Sequence, residues 1–348
     1  MLHVNLRRTL GDIMKTLACA VAVTGLLGTS AFAADIAVKG PPAPPPAPVY
    51  NWTGWYVGVN AGASFGNAET DIHDATTVTT TVVLTGTSPA PGTLLGGNTF
   101  GFGNHDQGQP NGFMGGGQIG YNWQFSPIWV GGVEADFQGA LERDSFTRTD
   151  NFSGDVSASG ACPTGSTTSF CGANATVAGS RALDFHTQID WFGTVRARAG
   201  YVWGNGNVMS YLTGGLAYGE VKINGTNIAS GTVTGISLSP ASLPFSVTES
   251  FSQSHVNTGW VAGYGTEAVI DFWGLRNWTW KIEGLWMDLG SVDATGTGIG
   301  PTTTSASIPC FGHLTTHCTF STGANGQTTT HTHFTDGIIR AGLNYKFY

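Results

Sequence analysis

The chain is poor in charge. Lys and Arg together number 14 and Asp and Glu 22, so only 10% of its 348 residues are charged, against about 25% in an ordinary soluble domain. The balance is −8, which excludes the basic face that nucleic-acid binding requires. Beyond residues 17–27 there is no long apolar run, so the mature chain holds no helix able to span a bilayer. No Ser/His/Asp or Cys/His arrangement suggests catalysis, and an enzyme is not expected. The carboxylates Glu134 and Asp136 stand two apart on one strand, a routine pattern for one face of a sheet. Cysteine is scarce, with five in all.

Other residues are in excess. Gly occurs 52 times, and there are 11 Trp, 19 Phe and 9 Tyr. So many aromatics argue against disorder. Residues 14–33, MKTLACAVAVTGLLGTSAFA, carry a basic start, a short apolar core and an Ala-Phe-Ala cleavage site, which makes residues 1–33 a secretory signal peptide. Residues 1–13 are either a long n-region or precede a true start at Met14. The run is too short to be a membrane anchor. Residues 34–50, with KGPPAPPPAP, form an extended Pro-rich periplasmic spacer that cannot join a sheet.

From residue 51 onward, eight segments alternate large apolar residues with small or charged ones. In TGWYVGVNAGASFG (53–66), Trp55, Val57, Val59 and Phe65 share one parity and Gly and Asn the other. The pattern returns at 112–123, 129–139, 186–203, 207–221, 256–270, 278–289 and 337–348. Strands of 9–11 residues suit a tilted crossing of a bilayer, and only helices and closed barrels satisfy every backbone group there. The connections alternate strictly. Short turns at 124–128, 204–206 and 271–276 are separated by long links at 67–111, 141–185, 222–255 and 290–333. Outer-membrane barrels have this asymmetry of short periplasmic turns and long extracellular loops. The expected fold is therefore all-β, an eight-stranded antiparallel transmembrane up-and-down β-barrel over 51–348 with four long extracellular loops. Trp55, Trp123, Trp129, Trp203, Trp273, Trp278 and Trp280 flank the short turns as one interfacial girdle. Core aromatics of a soluble sandwich would explain neither the girdle nor the loop alternation.

The opposite parity carries a proposed interior charge network: Glu134, Asp136, Asp190, Arg196, Arg198, Glu267, Lys281, Glu283, Asp336 and Arg340. An eight-stranded barrel is about filled by its own side chains, so the expectation is a salt-bridged plug, with a narrow porin-like channel for small solutes as the alternative. Signal cleavage removes Cys19 and leaves Cys162, Cys171, Cys310 and Cys318. An even count in an exported chain reads as disulfides, and the local pairs 162–171 and 310–318 are favoured among three pairings. His313, His317, His331 and His333 crowd the fourth long link. They are candidate ligands for zinc or haem iron, set against simple solvation. No other cofactor is implied.

The chain ends on Arg340-x-Gly342-x-x-Tyr345-x-Phe347. This ending resembles the C-terminal signal of outer-membrane β-barrels. With the NWTGWYVGVNAG entry after the Pro-rich spacer, the chain resembles the small outer-membrane surface-antigen barrels of alphaproteobacteria, the immunogenic-protein or porin family. The resemblance covers residues 50–66 and the strands, not the long links. It implies location in the outer membrane, contact with lipid and with the barrel-assembly machinery, and a structural, antigenic, environment-contacting role. It also associates the family with haem. Tyr348 departs from the pattern, since the family usually ends on the aromatic.

Overall fold

In the computed structural model the described residues are 50–86, 92–161, 170–234, 242–271, 275–305, 307–310 and 313–347. The signal peptide, the spacer apart from Tyr50, Trp273 and Cys162 lie outside them. The described strands are β1 (Gly54–Gly86), β2 (Gly92–Gly108), β3 (Asn111–Ser126), β4 (Trp129–Ala161), β5 (Phe170–Trp203), β6 (Val208–Thr234), β7 (Leu243–Val269), β8 (Trp278–Ile299), β9 (Thr303–Thr304), β10 (Ile308–Cys310) and β11 (His313–Lys346).

Every pairing is antiparallel. β3 through β8 pair in sequence order, and β8 pairs with β11. β11 then returns to β1, from Tyr56↔Lys346 to Gly86↔Thr316. β1 is flanked on its other edge by β3 low down and by β2 higher up. Gln109 and Pro110 divide β2 from β3, because Pro has no N–H to give a ladder. At one short turn Asn205 takes φ 57° between Gly204 at 62° and Gly206 at 90°. Gly and Asn adopt this left-handed backbone at least cost, and here they let β5 reverse directly into β6.

The long links are not loops. Most of 67–111, 141–185, 222–255 and 290–333 is strand continuing from the membrane-level segments. β1 alone has 33 residues, roughly 110 Å of strand at about 3.3 Å per residue. This corrects the expectation of four long extracellular loops. A bilayer needs about 9–11 residues of strand, but nothing ends the pairing there. The continuation keeps period 2, as in Ala175, Val177, Leu183 and Phe185, which are buried, against exposed Asn174, Thr176, Ala182 and His186.

The outward face carries an apolar band low on the wall. Trp55, Val59, Phe65, Phe113, Phe137, Leu141, Leu216, Trp286 and Ile339 are all exposed. The inward face is layered. Tyr50, Trp52, Val130, Val202, Met209, Tyr211 and Val269 cluster at the end near the short turns. A layer of charge follows, and then an apolar layer that includes Met114, Phe185, Phe192, Met287, Phe334 and Ile338. Higher still, a second apolar layer includes Val82, Leu94, Phe152, Phe245 and Phe320.

Candidate functional site

The charged layer is built by inward residues on β4, β5, β7, β8 and β11. Register places Glu134 opposite Arg196, and Arg340 opposite Glu283. Arg196 contacts Glu134, Asp136 at 3.0 Å and Glu283 at 3.4 Å. Arg198 reaches Glu134 at 3.2 Å and Glu267 at 3.1 Å. Lys281 lies 2.9 Å from Glu134 and 3.1 Å from Glu283. Arg340 donates to Asp136 at 2.8 Å and to Glu283 at 2.7 Å. Four carboxylates thus meet four cations, all buried. Buried charges are tolerated only when paired and hydrogen-bonded in this way.

Two tyrosines complete the layer. The Tyr56 hydroxyl donates to Glu134 and the Tyr211 hydroxyl to Glu283, each at 2.7 Å. The Arg198 guanidinium stands 4.7 Å and 4.9 Å from their ring centres, a cation–π arrangement. Sequence reasoning misses both tyrosines. For Tyr56 a signal exists, since it has the opposite parity to Trp55 and Val57. Trp52, which its place near a strand end assigns with Trp55 to the interfacial girdle, turns inward instead. It is 1% exposed and donates its indole N–H to the Gly206 carbonyl at 3.0 Å, closing the end of the interior beside that turn.

Asp190 does not belong to this layer. The register shifts between Ile189 and Trp191, so the parity flips. Ile189 turns inward, and Asp190 turns outward to Lys222 at 2.7 Å. Glu142 of β4, which the sequence pattern does not single out, keeps the parity of Glu134 and Asp136 and is buried as they are. Asp336 is buried but takes part in none of the ion pairs among the described residues.

The four-histidine cluster is also dissolved. β11 is one strand from His313 to Lys346, so His317 and His331, fourteen residues apart, are separated by roughly 46 Å. The His313 side chain lies outside the described residues. Among the described residues no three His, Cys, Asp or Glu side chains converge as a metal site. His331 and His333 instead face carboxylates on neighbouring strands, with His331 2.6 Å from Asp293. Cys318 is fully buried and disulfide-bonded, Cys310 lies in the adjacent β10, and Cys171 is in β5.

A second polar cluster lies above the first apolar layer. Arg181, fully buried, bridges Asp74 at 2.7 Å and Asp150 at 2.9 Å. Asn227 donates to Asp74 at 2.8 Å, and Thr328 contacts both Asp74 and Glu249. Burial holds the Glu249 carboxyl above its ordinary range. The neighbouring Asp74 adds to this, against the hydrogen bonds from Thr328 and Asn227.

No protein-family model matches the chain. The 31 kDa outer-membrane immunogenic protein of Brucella melitensis biotype 1 is 32% identical over 282 residues, which span 77% of this chain and 85% of that one. This chain belongs to that family of outer-membrane immunogenic proteins. The protein of the same description from Brucella suis biovar 1 matches over the same extent. The location of this chain is the outer membrane, and the exposed apolar band is the surface that meets lipid. Trp55, Trp123, Trp129, Trp203, Trp278 and Trp280 lie on that surface, each more than a third exposed. Among solved structures, the attachment invasion locus protein of Yersinia pestis is 13% identical and covers 76% of this chain and 98% of that one, with a TM-score of 0.21. A superposition that loose carries no argument about this chain.

The ending noted above lies at the close of β11. Tyr345 packs edge-on against Trp278 at 5.1 Å and against Phe347 at 5.3 Å. Arg340 points inward into the charged layer, and Gly342 lies opposite Asn60.

Proposed function

We propose that this protein is an eight-stranded transmembrane β-barrel with a closed interior, whose work is structural and whose active surface is the tall extracellular wall. The observation that carries the reading is the order of layers. The balanced charged layer sits between the Trp52 cluster on one side and the Met114–Phe192–Phe334 layer on the other. A water path would have to cross both apolar layers. The outward face of the wall above the band is Thr-, Ser-, Gly- and Asn-rich, a hydrated surface suited to antigenic contact with the environment. The remaining reading follows the sequence: a cleaved signal peptide at 1–33, a periplasmic spacer at 34–50, recognition of Arg340, Gly342, Tyr345 and Phe347 by the assembly machinery, disulfides 162–171 and 310–318, no catalytic activity and no cofactor.

The deciding experiment is single-channel recording of the heat-modifiable, folded protein in a planar bilayer. The expected result is silence. Discrete, reproducible steps would overturn the closed interior and favour a narrow porin-like channel.

A further inference from the structure

The sequence contains no Lys or Arg between Lys39 and Arg143, nor between Lys281 and Arg340. The fold brings these two stretches together. β2, β1, β11 and the upper part of β8 lie side by side, so a four-strand sector of the extracellular wall has no fixed positive charge of its own. Its outward face carries Glu69 and Asp71 of β1 and Asp293 of β8, with Asp288 at its lower edge. Interleaved with them are His73, His105, His331 and His333.

The interleaving follows from register. Asp293, His331, Asp71 and His105 stand in one row across the four strands, and Ser291, His333 and Glu69 stand in the next. His105 of β2 holds Asp71 at 2.8 Å through one ring nitrogen and Glu69 at 3.1 Å through the other. Both nitrogens of an imidazole can serve carboxylates only when both carry protons. His331 of β11 meets Asp293 of β8 at 2.6 Å and has Asp71 of β1 on its other side. His333 lies 3.1 Å from the Ser291 hydroxyl and 3.6 Å from Asp288, with Glu69 opposite it. His73 is two residues from Asp71, with Thr329 and Gly103 as its neighbours across the strands. One further acid, Asp106, follows His105 on β2 with the opposite parity and is bridged at 3.3 Å by Arg148 of β4.

We propose that this sector is an acid-set clasp. In mild acid its histidines protonate, bridge the carboxylates across the β8–β11, β11–β1 and β1–β2 boundaries, and cancel the sector's negative charge. The count is four carboxylates, Glu69, Asp71, Asp288 and Asp293, against four histidines. The sector therefore passes from −4 with neutral rings to zero with protonated ones. The β11–β1 boundary is where the first and last strands meet, so the clasp acts at the junction on which closure of the wall depends. The hydrogen bond from Asp71 raises His105 above its ordinary value, and the same bond lowers Asp71. A raised histidine stabilises the fold below its unfolded value, near 6.5, and that contribution is lost as pH rises through its folded value. A lowered carboxylate acts above about 3.9. The clasp is strongest between those limits.

The test is local hydrogen exchange in the vesicle-reconstituted protein, read on peptides within 66–77, 100–108, 288–296 and 326–335. After correction for intrinsic rates, exchange there should slow roughly fivefold or more from about pH 8 to about pH 5.5. In a Glu249→Gln background, which removes the pH response of the buried carboxyl bonded to Thr328, replacing His73, His105, His331 and His333 by Gln should abolish the difference. His105→Lys with His331→Lys should hold the slow state at both pH values, which a merely structural role would not produce. The proposal is overturned if the four-histidine Gln variant keeps the pH response, or if the Lys variant exchanges at the alkaline wild-type rate near pH 8.

Discussion

Glu134 is the hub of the charged layer. It contacts Arg196, Arg198 and Lys281, and it accepts from the Tyr56 hydroxyl. Consider Glu134→Gln. Shape and volume are kept, and the amide oxygen can still accept from Tyr56. The charge is lost, so four buried cations face three carboxylates. Removing one partner from a buried pair typically costs about 3–5 kcal/mol, because an uncompensated charge remains. The cost here should fall in that range, since Lys281 has only Glu283 left at 3.1 Å. The matching experiment is Glu134→Gln with Lys281→Met, which restores balance at three and three. Replacing a buried ion pair by groups of similar volume is often nearly neutral, so the double variant should recover most of the loss. The assay is urea unfolding of the refolded protein in micelles, read by tryptophan fluorescence and gel mobility. A single variant costing less than about 1 kcal/mol would refute the reasoning. So would a double variant worse than the sum of its singles, because either result would mean that the layer is hydrated and screens its own charges.

Other outcomes follow from the same geometry. Trp52→Ala should cost about 3–5 kcal/mol by opening a cavity at the turn-side end of the interior, checked by the same unfolding curve. Asp190→Asn should leave the unfolding midpoint at the wild-type value, because the side chain faces water beside Lys222; a large loss would return Asp190 to the interior. Glu249 has a raised carboxyl, so its folded form retains a proton that the unfolded chain releases. Stability is therefore greatest below the ordinary carboxylate value and falls as pH rises through the raised one. Glu249→Gln should flatten that part of the pH–stability profile, and an unchanged slope would exclude Glu249 as its source.

Much of this architecture is legible in the sequence. Alternation at Trp55, Val57 and Val59, the aromatic flanks of the turns, and the opposed parity of Glu134, Arg196, Lys281 and Arg340 all follow from period 2. Three things are not legible. Strict parity places Asp190 inside, because a bulge shifts parity by one and leaves no local mark in composition. The wall above the membrane reads as loop because a crossing requires so few residues. Its inward positions also mix Thr76, Thr80, Thr328 and Thr330 with Val78 and Val82, which blurs the contrast on which the pattern depends. The pairing of His331 with Asp293 and of His105 with Asp71 is invisible in the sequence, because it depends on register between strands far apart in the chain.

These differences bear on where function lies. A membrane-level barrel with flexible loops would leave its surface chemistry to the loops. Here the chemistry is distributed along continuous strands, whose inward residues supply a second core around Phe152, Phe245 and Phe320. That core makes the tall wall self-supporting, and a self-supporting wall can present side chains at fixed spacing. The histidine–carboxylate rows need such spacing. Shifting β11 by one residue against β1 would turn His331 inward and Thr330 outward, since side chains alternate along a strand. The upper core and the outer rows therefore specify the same register from opposite faces, and a change in either should be felt in the other.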